Sequence, residues 1–459
     1  MLLSKIGSKL HYFLCSFIAG ALITFAFAPY NIWPLSILVP ALLLFLWDKF
    51  PERKMLSSFI FGTGYFSAGS WIFYSLKDHS DLSFAICISA TILFLCALAL
   101  SFLLVHIVVN KIPGNKILKY LIYYPFGWFL AEYFRTKSQL AYPWLFLAYS
   151  QTTSPIINLS HLLGVFGTSS IVVLLAACCY LTIRDRSKFC LILLIALTAT
   201  ITYFSAIKHN QSNNKEINTV LIQGNVSEQD KWDKAKLSNL IQNYENMILS
   251  NMHRNYVFIL PETAIPKVPY EATNILQKLK SELISNNSSL MLGTFTIDQE
   301  QNIHNSIVSM GLVNAVNSKR RLVAFGETTP DIPGLAELAN TFDFPMSNIK
   351  PSKEPNHNIN IQGLKLATFI CYEIAFPEEV NTRAQDADVL VVISDNIWFG
   401  SSNASFQHRQ IGRFYAIMLG KPMLFVNNSG VSSIINANGD IVKELPNNAK
   451  GIIDYKLTF

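Results

Sequence analysis

The sequence contains few charged residues. Asp, Glu, Lys and Arg make up 14% of its 459 residues, whereas a soluble domain typically has about 25%, and 51% of the residues are hydrophobic. A chain this apolar is neither intrinsically disordered nor a coiled coil, because both classes depend on abundant charged and polar residues. The net charge of +6 comes without a dense basic tract, so a nucleic-acid partner is not expected.

Cysteines and the common ligand-binding motifs are also scarce. Of the seven cysteines, six lie in or beside apolar segments of the first 206 residues and only Cys371 lies beyond them, which excludes a small fold held together by disulfides. His304, His357 and His408 lack the spacing of zinc ligands, and the sequence has no glycine-rich phosphate-binding loop. We therefore expect neither a metal site nor a cofactor.

Long apolar runs fill the first 206 residues and are absent afterwards. About 20 apolar residues cross roughly 30 Å of hydrocarbon, so residues 1–206 are predicted to form an α-helical transmembrane bundle of about seven helices. Within it, Gly62, Gly64 and Gly69 indicate close packing between helices. The predicted spans are residues 10–28, 32–47, 56–76, 83–109, 117–134, 160–183 and 188–206.

The basic residues of the short loops predict the orientation of this bundle. If the N-terminus is cytoplasmic, the loops on that side carry eleven Lys and Arg residues and the opposite loops carry only Lys77, Arg135 and Lys137. Cytoplasmic loops are enriched in Lys and Arg, so we expect the N-terminus in the cytoplasm. Seven spans then place residues 207–459 on the far side of the membrane.

Residues 207–459 alternate short apolar, β-branched runs with polar, helix-like stretches. Several runs are apolar throughout, as expected for strands buried on both faces, and this favours a layered α/β domain. About 250 residues suffice for one hydrophobic core. The predicted strands are residues 218–223, 256–260, 289–293, 364–370, 388–393 and 423–426.

Three segments of this domain end a strand-like run near a residue that can take part in catalysis. These residues are Glu262, Lys319 and Cys371. Taken singly, each has an ordinary structural interpretation: a structural carboxylate, part of a solvated or phosphate-attracting cationic face, and a buried thiol. Taken together, they supply a base, a cation for a developing oxyanion and a nucleophile.

The order Glu, Lys, Cys, with spacings of 57 and 52 residues, resembles the nitrilase superfamily. Because apolar spans precede this domain and further motifs match in order, the whole chain resembles the membrane-bound apolipoprotein N-acyltransferase family of that superfamily. The matching motifs are Phe27-Ala28-Pro29-Tyr30-Asn31-Ile32-Trp33-Pro34, Glu132-Tyr133-Phe134-Arg135, Tyr142-Pro143-Trp144, Tyr149-Ser150-Gln151, Gln223-Gly224-Asn225, Lys231-Trp232-Asp233, Cys371-Tyr372-Glu373 and Trp398-Phe399-Gly400.

The resemblance implies an α/β nitrilase-like α-β-β-α sandwich over residues 207–459, with specific roles for its residues. It assigns Glu262 as general base, Lys319 as oxyanion stabiliser and Cys371 as nucleophile. The sequence departs from the family pattern in several places. Thr328 replaces a usual tyrosine, Asp395-Asn396 replaces a usual Asn-Asp, and Tyr415-Ala416-Ile417-Met418 replaces a typical Arg-Ala-x-Glu. The supporting or substrate-binding residues that the resemblance implies are Trp232, Glu327, Tyr372 and Glu373.

The resemblance also implies the substrates and the location. A fatty acyl chain would pass from a phospholipid, through a thioester on the enzyme, to the free α-amino group of the N-terminal S-diacylglyceryl-cysteine of a lipoprotein. The protein would be a monomer in the bacterial inner membrane, with its catalytic domain on the periplasmic side. From its position at the outer end of the fifth predicted span, Arg135 could hold the lipid phosphate or could extend its side chain to the membrane interface.

Two other functions remain open at this stage. A membrane-tethered nitrilase-family amidase or acyl hydrolase would pass the thioester to water instead of an amine. A transporter or receptor would use charged residues inside the membrane, for which Glu132 is the clearest candidate.

The apolar segment 330–355 is interpreted as a lid that dips into lipid or as ordinary core packing.

Overall fold

The chain begins with helices and continues into two β-sheets. In the computed structural model, the described residues are 2–69, 71–80, 82–206, 215–267, 273–324, 326–328 and 349–459. The predicted lid segment 330–355 therefore lies outside the described residues up to position 348. Two compact units are present: Met1–His209 with Ser401–Gln410, and Asn210–Gly400 with Ile411–Phe459.

The first unit is helical. Its apolar runs form helices because backbone hydrogen bonds are then satisfied within each segment, which a hydrocarbon environment demands. The helices are α1 (Leu2–Ala21), α2 (Leu35–Lys49), α3 (Lys54–Ser67), α4 (Trp71–His79), α5 (Phe84–Lys111), α6 (Lys116–Leu118), α7 (Tyr124–Phe134), α8 (Ser160–Asp185) and α9 (Lys188–Ala206).

Among the described residues, three helical segments are long and apolar enough to cross a membrane: Phe84–Lys111, Pro155–Asp185 and Lys188–Ala206. The other predicted spans correspond to shorter or interrupted helices. The run 56–76 is divided between α3 and α4, and a π-helical turn at Lys119–Tyr123 separates α6 from α7. Seven membrane crossings thus stay a prediction.

Glycines bring α1, α3 and α5 into close contact. A Cβ atom at Gly20 of α1 would collide with the carbonyl oxygen of Phe61 in α3, and one at Gly64 would collide with the carbonyl oxygen of Phe17. On another face of α3, a Cβ at Gly62 would lie 3.0 Å from Cα of Ala99 in α5. The prediction of close helix packing at Gly62 and Gly64 is confirmed.

The second unit contains two six-stranded sheets. The first has the strand order β12-β1-β2-β3-β4-β5 and the second the order β11-β10-β9-β8-β7-β6. Strands β1, β2 and β3 are parallel, as are β7, β8 and β9. The strands are β1 (Glu216–Gln223), β2 (Tyr256–Ile259), β3 (Ser289–Ile297), β4 (Ile303–Gly311), β5 (Ala315–Ser318), β6 (Ile359–Ile361), β7 (Leu364–Ile370), β8 (Val389–Ser394), β9 (Met423–Asn427), β10 (Ser433–Ile435), β11 (Ile441–Glu444) and β12 (Gly451–Thr458).

Helices cover the outer faces of both sheets, and the two inner faces share one core. The helices are α10 (Glu228–Trp232), α11 (Leu237–Leu249), α12 (Thr273–Ser285), α13 (Pro377–Ala384) and α14 (Ala404–Leu419). The shared core includes Leu221 and Ile259 of the first sheet with Leu366 and Val391 of the second. Helices α11 and α12 pack on the first sheet through residues such as Leu240 and Leu283.

The part of α14 from Ile411 onward belongs to the second unit and lies against the second sheet. Its Gly412 faces β9 so closely that an added Cβ would lie 2.7 Å from Sδ of Met423. The α-β-β-α layering expected from the sequence is confirmed. Each of the six predicted strands is also present, as β1, β2, β3, β7, β8 and β9.

Candidate active site

The three candidate catalytic residues lie at or just beyond the C-terminal ends of strands. Glu262 follows β2, Lys319 follows β5 and Cys371 follows β7. Strand β5 runs in the same direction as β2, because β2 and β3 are parallel and two antiparallel pairings connect β3 to β5. Glu262 and Lys319 therefore meet at one edge of the first sheet.

Lys319 is completely surrounded by protein and binds two carboxylates. Its side chain is 1% exposed, and its Nζ donates to Oε1 of Glu262 at 3.0 Å and to Oε1 of Glu327 at 2.8 Å. Burial alone would lower the pKa of Lys319, but the two carboxylates raise it well above its ordinary value. The lysine is therefore a permanent cation at the centre of the site.

Glu262 is held on both of its carboxylate oxygens. Oε1 accepts hydrogen bonds from Lys319 and from Nδ2 of Asn305, the latter at 2.8 Å. Oε2 accepts one from the backbone N–H of Asp395 at 2.9 Å. Asn305 also donates to Glu327 at 3.1 Å, so the two carboxylates share both the lysine and the asparagine.

Cys371 is the first residue of a 3₁₀ helix, Cys371–Ala375, that directly follows β7. Its φ of +51° is uncommon for a residue with a side chain and is typical of functional sites. Burial and then the negative charge of Glu262 raise the pKa of the Cys371 thiol, while Lys319 and a hydrogen bond with Ser394 lower it. The net shift is upward, so the resting thiol is protonated and needs a base.

Glu373 connects the backbone beside Cys371 to the backbone beside Lys319. It is fully buried, and it accepts hydrogen bonds from the N–H of Ile370 at 3.0 Å and from the N–H of Arg320 at 2.8 Å. Ile370 precedes Cys371 and Arg320 follows Lys319. Glu373 thus fixes the distance between the two strand ends.

The other predicted supporting residues have different surroundings. Tyr372 is buried, with its ring 5.3 Å from that of Phe376. Trp232 is 51% exposed, and its ring centroid lies 6.0 Å from that of Phe295. Both belong to the second unit: Tyr372 directly follows Cys371 in the sequence, and Trp232 is the last residue of α10.

Arg135 belongs to the first unit and is already engaged by protein groups. Its Nη1 donates to the carbonyl oxygen of Trp144 at 2.8 Å. Its guanidinium carbon lies 4.9 Å from the ring centroid of Phe66 and 4.7 Å from that of Phe146. The residue also lines a cavity of about 200 Å³ together with residues of α5 and α7, among them Ser101.

Sequence reasoning missed three residues of the site: Asn305, Lys231 and Asp395. Asn305 is a buried polar residue in the middle of a buried stretch of β4, and such a position is a recognisable signal because a buried amide needs partners. Lys231 belongs to a motif that the sequence analysis used only for its tryptophan. No local pattern indicates that Lys231 and Asp395 form an ion pair.

No group of three or more His, Cys, Asp or Glu residues that could hold a metal ion occurs in the described part of the chain.

Two family models match the sequence. Residues 19–178 match the apolipoprotein N-acyltransferase N-terminal domain, and residues 221–459 match the carbon-nitrogen hydrolase family.

Curated relatives match nearly the whole chain. The apolipoprotein N-acyltransferase of Coxiella burnetii is 31% identical over 444 residues, which cover 94% of this chain and 91% of the relative. The proteins of the same name from Photobacterium profundum and Vibrio cholerae are 29% and 28% identical, covering 96% and 99% of this chain and 88% and 93% of theirs. A carbon-nitrogen hydrolase crystal structure from Helicobacter pylori G27 aligns with a TM-score of 0.39 and 14% identity, over 53% of this chain and 89% of that chain.

Proposed function

The chain belongs to the apolipoprotein N-acyltransferase family, and from that premise we propose that Cys371, Glu262 and Lys319 carry out the acyl transfer. The donor is a phospholipid, and the acceptor is the α-amino group of the N-terminal S-diacylglyceryl-cysteine of a lipoprotein. The observation that carries this proposal is the buried Lys319 ammonium, which binds Glu262 at 3.0 Å and whose positive charge opposes the rise in the pKa of the Cys371 thiol.

In the first half-reaction, Glu262 takes the thiol proton as Cys371 Sγ attacks the ester carbonyl carbon of the donor. The S–C bond forms, the ester C–O bond breaks, and the proton passes from Glu262 to the departing glycerol oxygen. In the second half-reaction, the amine nitrogen attacks the thioester, the N–C bond forms and the S–C bond breaks. The amine proton passes through Glu262 back to the cysteine sulfur. The covalent intermediate divides one difficult transfer into two easier steps.

Lys319 stabilises the oxyanion in both half-reactions. An ammonium has three N–H donors, and the described residues provide two acceptors, Glu262 and Glu327. The third N–H remains for the negative charge that develops on the carbonyl oxygen. Loss of such a donor typically lowers the rate by about 10²- to 10³-fold. Glu327 acts through Lys319, because its Oε1 accepts a hydrogen bond from the same ammonium that binds Glu262.

The remaining predicted residues act on the substrates. Trp232, half exposed beside Phe295, offers an aromatic surface to an acyl chain, and Tyr372 shapes the wall beside the thiol. Arg135 lines the cavity between α5 and α7, where its positive charge suits the phosphate of a donor lipid. Ser101 and Ser138 in the same lining add hydroxyl groups for a lipid headgroup.

The proposed setting follows from the apolar helices and from the basic residues of the loops. The protein lies in the bacterial inner membrane as a multi-pass monomer, with the catalytic unit on the periplasmic side. Three apolar helices among the described residues and the excess of Lys and Arg in alternate loops support this arrangement.

Intact-mass spectrometry of detergent-purified protein incubated with a phospholipid tests the proposal. Wild type should gain the mass of one acyl chain, and Cys371→Ala should not. A diacylated lipopeptide with a free α-amino group should then discharge the adduct, while the same lipopeptide with an acetylated amine should not. Discharge by water at the same rate with either lipopeptide would indicate the acyl hydrolase instead, and a wild type without an adduct would refute the thioester mechanism.

A further inference from the structure

A second lysine, Lys231, is buried beside the backbone of Glu262. Lys231 and Asp395 are 4% and 6% exposed, and the Lys231 ammonium pairs with Oδ2 of Asp395. Asn428 donates its amide to both oxygens of Asp395, at 3.2 and 3.3 Å. Burying two charges is costly unless each is paired and hydrogen-bonded, and this pair meets that condition.

Lys231 also contacts the turn that carries Glu262. Its Nζ donates to Oγ1 of Thr263 at 3.0 Å and approaches the carbonyl oxygen of Glu262 at 3.5 Å. Thr263 has a φ of +47°, a conformation that is unfavourable for a β-branched residue and persists only when the surrounding contacts hold it. Lys231 therefore fixes the backbone of the turn from which the Glu262 side chain extends.

Asp395 binds the side-chain carboxylate of Glu262. Its backbone N–H donates to Oε2 of Glu262 at 2.9 Å, whereas Oε1 is bound by Lys319 and Asn305. Within the described part of the chain, this N–H is the one hydrogen-bond donor on Oε2. Glu262 is thus contacted at both ends by the ion pair: Lys231 lies against its backbone, and Asp395 binds its Oε2.

We propose that Lys231 is a positioning residue that, through Asp395 and Thr263, directs the carboxylate of Glu262 toward the Cys371 thiol. Proton transfer requires a base within hydrogen-bond reach of the proton it removes, so a small rotation of Glu262 slows acylation. A displacement of about 1 Å can cost roughly 10²-fold in rate. This inference rests on the proposed function, in which Glu262 is the base.

Three variants separate positioning from a purely structural role. Lys231→Met removes the ammonium and leaves Asp395 buried without its cation. The double variant Lys231→Met/Asp395→Asn removes both charges, so no buried charge is left unpaired, and it keeps the backbone N–H at position 395. Lys236→Met is the matched control, because Lys236 forms an exposed ion pair with Asp230 in the same region, with side chains 56% and 47% exposed.

The measurement is the rate of acyl-enzyme formation by intact mass, over a range of phospholipid concentrations. Both Lys231 variants should acylate Cys371 about 10- to 100-fold more slowly than wild type, with the half-saturating donor concentration unchanged. Lys236→Met should match wild type. If Lys231→Met does not fold, the double variant carries the test.

Several results would overturn the inference. Acylation at the wild-type rate by the double variant would mean that the pair serves stability alone. A raised half-saturating concentration with an unchanged maximal rate would assign Lys231 to donor binding. If wild type itself forms no acyl-enzyme, the proposed function fails, and that outcome is distinct from a normal rate in the variants.

Discussion

Glu373 and Arg383 form a buried, bidentate ion pair. Nη1 of Arg383 lies 2.8 Å from Oε2 of Glu373, and Nη2 lies 2.9 Å from Oε1. Arg383 also donates to Glu379 at 2.9 Å. The pair keeps Glu373 ionised. Its carboxylate accepts hydrogen bonds from the backbone N–H of Ile370, which precedes Cys371, and from that of Arg320, which follows Lys319. The geometry of the candidate active site therefore depends on an arginine that follows Cys371 by twelve residues.

Arg383→Met should destabilise the catalytic unit by about 3–5 kcal/mol, because it leaves the buried Glu373 carboxylate without its cation. Denaturant unfolding of the purified protein, followed by tryptophan fluorescence, measures this change. Lys456→Met is the control, since Lys456 forms an exposed pair with Glu216 and exposed pairs contribute roughly 0–1 kcal/mol. Equal losses in the two variants would contradict the prediction.

The contribution of Glu373 to stability should depend on pH. Burial would raise the pKa of Glu373, but Arg383 and the backbone N–H groups of Arg320 and Ile370 bring it below its ordinary value of 4.5. A group with a lowered folded-state pKa stabilises the protein above its unfolded-state pKa and loses that contribution as the pH falls through the folded-state value. The difference in unfolding free energy between wild type and Glu373→Gln should therefore be constant from pH 7 to about 5 and should shrink in more acidic buffer. A difference that stays constant down to pH 3 would exclude this linkage.

Glu262→Gln should make the Cys371 thiol more reactive toward iodoacetamide while abolishing acyl transfer. After burial, the charge of Glu262 is the largest influence that raises the thiol pKa, and Lys319 opposes it. Removing that charge lowers the pKa of the thiol. At a pH below this pKa, lowering the pKa by one increases the thiolate fraction about tenfold. Peptide-resolved mass spectrometry at pH 8 follows Cys371 among the seven cysteines. Glu300→Gln, on an exposed turn, should leave the alkylation rate unchanged.

Asn305→Asp should lower the acylation rate by roughly 10²-fold. Asn305 donates to Glu262 and Glu327, and an aspartate of the same shape would instead place a third negative charge against these carboxylates. Single-turnover acylation measures the loss, and Asn438→Asp on an exposed turn tests the effect of the same substitution elsewhere. Wild-type acylation by Asn305→Asp would show that the amide does not orient the base.

Gly64→Ala should destabilise the helical unit by about 1–3 kcal/mol, because the added methyl group collides with the carbonyl oxygen of Phe17 and α1 must move away from α3. Thermal unfolding in detergent should show a lower midpoint. Gly114→Ala adds the same methyl group where the nearest atoms are the side-chain ends of Leu118 and Tyr123, and it should have little effect.

The strand ends that carry the candidate catalytic residues could be predicted, because each lies in a short local sequence pattern. Glu262, Lys319 and Cys371 each follow an extended run in the sequence, and the structure has a strand at each of the three runs. Lys319 is the first of three consecutive cations, and such runs are usually solvated. In the structure Lys319 is buried, while Arg320 and Arg321 pair with Glu379.

Composition and periodicity act over short distances along the chain, so the amino-acid sequence alone predicts an apolar helical part, a layered α/β part with six of its strands, and the order of the candidate catalytic residues. The partners of those residues, in contrast, could be identified only in the folded protein. Asn305 lies between Glu262 and Glu327, and Lys231 pairs with Asp395, through contacts between residues that are distant in sequence. Such contacts depend on strand register and on the folding of two sheets onto one core, which set where each side chain lies.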